Sequence, residues 1–184
     1  MRNVIYAINI SLDGCCDHAK MIADEEILEY HARPLRESDL LVFGRKTFQL
    51  MVPYWPDVAK DESATKADKE FARTFDAINK IVFSRTLDRA ESKNTRIVRG
   101  NLREEFLKLK QEKGKDILVG GVEIPSQLVE LGLIDEFRIL VQPIIVGEGR
   151  RLFDHVRRPE RLHLKLVESK TLKSGFVALH YVKP

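Results

Sequence analysis

Asp116-Ile117-Leu118-Val119-Gly120-Gly121-Val122-Glu123-Ile124-Pro125 reads as a short buried strand that passes through a glycine pair into a helix. Ile117, Leu118 and Val119 form an apolar run too short for a helix, as in a strand covered on both faces. Pro125 suits the first helical turn, where its missing N–H leaves no bond unmade. Leu128 and Leu131 lie on the apolar side of that helix, and Gly132 suits a left-handed stop. Amides at a helix N-terminus are unpaired and partly positive, and glycines let a pyrophosphate come close to the backbone. The same residues also suit a tight strand–helix turn that binds nothing.

Working outward, the pattern repeats. Residues 4–11 (VIYAINIS), 40–44 (LLVFG), 80–84 (KIVFS) and 95–99 read as strands. Asp24 is a candidate N-cap, with Glu25 and Glu26 in the favourable first turn and Ile27, Leu28 and Tyr30 following; Pro34 is expected to kink or end that helix. A short helix is expected over 45–51, broken by Pro53-Tyr54-Trp55-Pro56, then a polar loop over 57–66 and a short helix over 69–75. Asn101 can cap a helix carrying Leu102, Phe106 and Leu109, with 108–115 read as its solvated side. Beyond Gly132 the pattern changes to strands over 136–146, 161–168 and 175–182, the second with Leu162, Leu164 and Leu166 alternating with polar residues, and a turn at Lys173-Ser174-Gly175. Alternating strand and helix followed by strands alone predicts an α/β chain: one domain over 1–184, with a mainly parallel central sheet, antiparallel C-terminal strands and helices on both faces.

Composition narrows the function classes. The 184 residues are 43% apolar and 32% charged, an ordinary globular mixture. With 31 basic against 28 acidic side chains, interleaved and without an aromatic–basic platform, nucleic acid is a poor partner. No apolar run approaches the roughly 18 residues that span a bilayer, and the N-terminus lacks the features of a signal peptide, so no membrane association is expected. The two cysteines, Cys15 and Cys16, are adjacent and imply no disulfide framework, so a reducing, cytoplasmic setting is expected. The histidines and cysteines show no ligand spacing, so no metal is expected.

Three stretches follow predicted parallel strands, at the sheet edge where open α/β folds bind ligands. Gly120, Gly121, Val122, Glu123 and Ile124 form the first. Gly44, Arg45, Lys46 and Thr47 form the second, which adds two cations to the same device. Ser84-Arg85-Thr86 is the third, with a guanidinium and two hydroxyls that suit a ribose 2′-phosphate. Together they span a molecule the size of NADPH; separately, each also suits an ordinary polar turn. Asp13 in Ser11-Leu12-Asp13-Gly14 can anchor a substrate amine or hydroxyl, or relay a proton; an Asp-Gly turn is the plainer reading. Residues 143–153 run from a strand into Gly147-Glu148-Gly149-Arg150-Arg151, which suits a substrate, a partner subunit or a simple hairpin. Trp55 either walls a pocket or packs on the domain.

SLDG (11–14), LVFGRKTF (41–48), PYWP (53–56), KIVFSRTL (80–87), ILVGG (117–121), LGLIDEFRI (131–139) and PIIVGEGRRLF (143–153) occur in this order over nearly the whole chain. This set resembles the dihydrofolate reductase-like superfamily, and more closely its RibD C-terminal (riboflavin-biosynthesis reductase) domain family in the stand-alone bacterial form. The resemblance implies a dihydrofolate reductase-like three-layer fold of roughly eight strands, NADPH across the strand ends, and a homodimer in which residues near 137–146 pair or pack between subunits. It implies phosphate contacts from Gly44, Arg45, Lys46 and Thr47, and NADPH selection by Ser84 and Arg85. It places Gly120, Gly121, Val122, Glu123 and Ile124 beside pyrophosphate and nicotinamide, and Asp13 near the reacting centre. The implied activity is hydride transfer to a small heterocyclic or ribosylamine substrate, with 5-amino-6-(5-phosphoribosylamino)uracil the best candidate. A dihydrofolate or pterin reductase, or a non-catalytic NADPH-binding protein of the same fold, is the alternative. Cys15-Cys16-Asp17-His18 and Glu148 depart from the family pattern.

Overall fold

The computed structural model describes residues 1–90, 92–157 and 160–184. Its strands are β1 (Val4–Ser11), β2 (Ser38–Gly44), β3 (Asn79–Phe83), β4 (Thr95–Val98), β5 (Asp116–Val119), β6 (Glu136–Gln142), β7 (Lys165–Thr171) and β8 (Val177–Val182). Its α-helices are α1 (Glu25–Glu37), α2 (Arg45–Val58), α3 (Lys66–Ala77), α4 (Leu102–Gln111) and α5 (Glu123–Glu130). The strands form one eight-stranded sheet in the order β4-β3-β2-β5-β1-β6-β8-β7. β1 to β6 run parallel, whereas β8 runs against β6 and β7 against β8.

Side-chain parity decides what each face of the sheet touches. Val4 and Tyr6 of β1, Leu40 and Val42 of β2, and Ile117 and Val119 of β5 pack with Phe106 and Leu109 of α4 and Leu128 of α5. Ile5, Leu41, Phe43 and Leu118 point the other way, onto Ala32 and Leu35 of α1, Phe48 of α2, and Phe71 and Phe75 of α3. These strands are apolar at successive positions because both faces are covered. The three layers expected from the sequence are therefore present. Asp24 caps α1 by accepting from the Ile27 amide at 2.8 Å, and Asn101 caps α4 through the Glu104 amide at 3.1 Å. Gly132 ends α5 at φ 68°. There the Leu133 N–H donates to the Leu128 carbonyl at 2.9 Å and the Gly132 N–H to the Val129 carbonyl at 3.1 Å.

Several expectations are corrected. α2 does not stop near residue 51: it runs to Val58 through Pro53 and Pro56. Trp55 lies 4.4 Å from Phe71 between ring centroids and holds this second half against α3. That packing also settles Trp55 as a residue of the helix layer. α3 begins at Lys66, because Thr65 and Asp68 form a reciprocal capping box, so the preceding loop is shorter than expected. Pro34 does not end α1: it is buried and the helix continues to Glu37. The long strand expected to reach residue 146 stops at Gln142, because Pro143 has no N–H for the ladder. Leu162 and Leu164 pack against the α4–α5 core instead of pairing, and β7 starts only at Lys165. On α4, Lys110 is buried rather than solvated and forms an ion pair with Asp135.

Candidate active site

Because β1, β2, β3 and β5 are parallel, their carboxyl ends share one edge of the sheet. Gly44 ends β2 and opens α2, with no side chain capping the first turn and no acidic residue in it. The first amides of α2 therefore face outward beside exposed Arg45 and Lys46. β5 lies next to β2, so Gly120 and Gly121 emerge against this helix start. A Cβ on Gly121 would stand 2.3 Å from Thr47 Oγ1, and Gly121 sits at φ 78°, so this approach demands glycine. Gly44 is close-packed in turn: a Cβ there would stand 3.4 Å from Ile124 Cγ1. A Cβ on Gly120 would meet nothing within 4 Å, which leaves an open cradle. On the other flank, Arg45 Nη1 donates to Thr86 Oγ1 at 2.6 Å. The structure thus brings the three sequence stretches into one contiguous surface.

Within that surface, Ser84 Oγ accepts from the amides of Thr86 at 3.3 Å and Leu87 at 3.0 Å, which folds the turn after β3 and presents exposed Arg85. Arg99 braces the same turn through the Leu87 carbonyl at 2.6 Å. The first turn of α5 carries Glu123, whose carboxylate pairs with Arg150 at 3.1 Å. The donor set fits a polyanionic nucleotide: two uncapped helix starts, an open glycine step, and guanidinium groups at the end of β3.

Asp13 lies one element away, past the end of β1. Its carboxylate accepts from Ser11 Oγ at 2.6 Å and from the amides of Val146 at 3.1 Å and Gly147 at 3.0 Å, with Arg151 at 3.5 Å. These hydrogen bonds, Ser11's foremost, hold its carboxyl well below the usual carboxylate range. Asp13 is therefore a charged latch between the SLDG turn and residues 143–151. Lys20, in the short helical turn His18–Lys20 that follows the SLDG turn, forms an ion pair with Glu148 of the second segment.

The sequence reading missed two further contacts of this edge. Tyr6, buried in β1, donates its hydroxyl to the Gly121 carbonyl at 2.9 Å; burial raises its phenol well above the ordinary range, so it remains a neutral donor. Gln142, fully buried, donates to the Ile22 carbonyl and accepts the Ile22 amide, both at 2.9 Å. A polar residue at an inward position closing an apolar strand was the available signal for Gln142; nothing local marks Tyr6.

The Bacillus subtilis (strain 168) proteins YyaP and YwjB, both uncharacterized, are each 34% identical to the chain. The alignments cover 98% of the chain and 94% of YyaP, and 99% of the chain and 98% of YwjB. Among solved structures, a pyrimidine reductase-like protein from Corynebacterium diphtheriae superposes with TM-score 0.66 at 16% identity, covering 100% of this chain and 92% of that one. A Thermotoga maritima diaminohydroxyphosphoribosylaminopyrimidine deaminase/5-amino-6-(5-phosphoribosylamino)uracil reductase superposes with TM-score 0.69 at 16% identity, covering 100% of this chain and 57% of that one. Both share the fold. The profile of the RibD C-terminal domain matches residues 2–178, and the chain belongs to that family.

Proposed function

We propose that the chain is an NADPH-dependent reductase that delivers hydride to a small heterocyclic or ribosylamine substrate, with 5-amino-6-(5-phosphoribosylamino)uracil as the best single candidate. The observation that carries this reading is the joining of the α2 start, the Gly120-Gly121 step and the Ser84-Arg85-Thr86 turn at one sheet edge. NADPH, when bound, supplies the hydride. Arg45, Lys46 and the α2 amides hold phosphate in this reading, and Ser84 and Arg85, with Arg45 reaching Thr86, recognise the 2′-phosphate. Gly121, Val122, Glu123 and Ile124 line the approach to the nicotinamide. Asp13, already charged and fully engaged, orders residues 143–151 beside the substrate rather than lending an acidic proton. The reduced thiols Cys15 and Cys16 suit a cytoplasmic setting. A homodimer belongs to the same reading. β6 is flanked by β1 and β8, so of the two modes the resemblance implies for residues near 137–146 this reading keeps packing between subunits and not strand pairing; β4 and β7 are the strands with an open edge.

The test is a titration with NADPH and NADH, following Trp55 and nicotinamide fluorescence, in the wild type and Arg85→Ala. NADPH should bind at least about tenfold more tightly than NADH, with most of that margin lost in the variant. Equal affinity for both, or binding of neither, overturns the cofactor assignment. Asp13→Asn should leave NADPH affinity nearly unchanged while turnover falls and the Val146 and Gly147 amides exchange faster. Unchanged turnover removes Asp13 from the site.

A further inference from the structure

β1 outlasts its neighbour. β5 ends at Val119, paired with Tyr6, whereas β1 continues to Ser11 along β6. From Ala7 onward the β5 side of β1 therefore has no strand beside it, and the chain leaves that place through Gly120-Gly121. The result is a notch in the sheet at its carboxyl edge, directly beside the proposed nicotinamide approach. Asn9 belongs to the part of β1 that borders this notch. By parity with Ile5 and Ala7, it faces the side covered by α1 and α2. Leu28, Met51, Val52 and Trp55 are half-buried on that same side and supply apolar surface.

A polar pair stands on that same face of the sheet. His31 of α1 meets Asn9 through a hydrogen bond between Nε2 and Oδ1, and both residues are half-buried. Burial lowers the His31 imidazole to about 4, so the ring is neutral near pH 7. With Nε2 carrying its proton and donating to Asn9 Oδ1, the amide NH2 of Asn9 is turned away from the histidine. Among the described residues that NH2 has no partner within the chain. An oriented amide donor beside apolar side chains is the complement of a flat ring that carries a carbonyl.

We propose that Asn9 is a substrate-contacting residue whose N–H donates to a ring carbonyl of a planar lactam heterocycle, and that His31 is a positioning residue that fixes which way this amide faces. The assignment rests on the reductase reading and names the part of the substrate it recognises. A tie between α1 and β1 with no ligand role is the plain alternative.

The experiment titrates 5-amino-6-(5-phosphoribosylamino)uracil into the full chain saturated with NADP+, where no turnover occurs. It compares the wild type, Asn9→Ala, Asn9→Asp, His31→Ala and the double alanine variant. Asn9→Ala should weaken the probe by roughly five- to tenfold with NADPH affinity held within about twofold. Asn9→Asp keeps the shape without the donor, should weaken the probe at least as much, and serves if the alanine variant folds poorly. His31→Ala should weaken the probe less, and its effect should vanish in the Asn9→Ala background. The side-chain NH2 resonances of Asn9 should shift on adding the probe. A wild type that binds the probe, with Asn9 variants of unchanged affinity and unmoved NH2 resonances, overturns this assignment alone. A wild type that binds NADPH but not the probe overturns the substrate reading and this assignment with it.

Discussion

His31 shows how a single buried group couples the site to pH. Its folded-state pKa of about 4 lies below the ordinary histidine value of 6.5, because burial disfavours the charged ring. Between those two values the unfolded chain binds the proton more readily than the folded one, so stability rises with pH through that window and is lost as pH falls. About 2 kcal/mol of the stability present at pH 8 should be gone by pH 5 from this group. Urea midpoints of the wild type and His31→Gln across pH 5 to 8 read it: the difference between the two should change over this range, and parallel curves would show that His31 titrates normally. Nothing in the sequence around residue 31 marks this role, because the burial that causes it comes from the packing of α1 on the sheet. Asp13 was legible as a site candidate from its Asp-Gly turn, yet one of its partners, the Val146 amide, lies 133 residues away in sequence. Local pattern can nominate a chemistry-bearing side chain. It does not report the long-range donors, here the Val146 and Gly147 amides, that add to the local Ser11 hydroxyl in holding that side chain charged.

At the scale of elements, the strands and caps were legible because they depend on short-range rules: apolar runs, Asp24 and Asn101 at helix starts, and Gly132 at a helix end. The prolines misled for a physical reason. A proline inside a helix removes one hydrogen bond and costs on the order of 3 kcal/mol in isolation, which is reason to end the helix there. In α2 that cost is offset by aromatic packing: Trp55 packs in tilted contact at 4.4 Å from Phe71 and 6.4 Å from Phe75, between centroids. Tertiary packing of this kind is invisible to a window of residues around Pro53. The second half of α2 should therefore depend on Trp55. Trp55→Ala should cost about 2–4 kcal/mol and raise amide exchange over residues 54–58 well above that over residues 49–52. Uniform exchange along α2 in the variant would mean that the prolines are tolerated without the aromatic cluster.

For the whole molecule, the sheet order decides which distant stretches can act together. β2 sits between β3 and β5, so the helix start after β2 is the bridge between the turn after β3 and the glycine step after β5. A ligand that touches all three should stabilise the chain as a unit and not one loop at a time. At 100 times its dissociation constant, NADPH should add about 2.7 kcal/mol, which for a chain of this size raises the melting temperature by roughly 5–10 °C. The distribution of that effect is the sharper test. Amide exchange should slow locally at residues 45–47, 86–87 and 121–124 together. The opposite edge, where Arg2 pairs with Asp39 and Lys110 with Asp135, should gain no more than the global increment. Protection confined to the groove between α1 and β7–β8, lined by Tyr30, Arg33, Lys170 and His180, would place the nucleotide elsewhere. Protection at only one of the three stretches would show that their proximity is a feature of packing, because a dinucleotide long enough to need all three cannot be held by one.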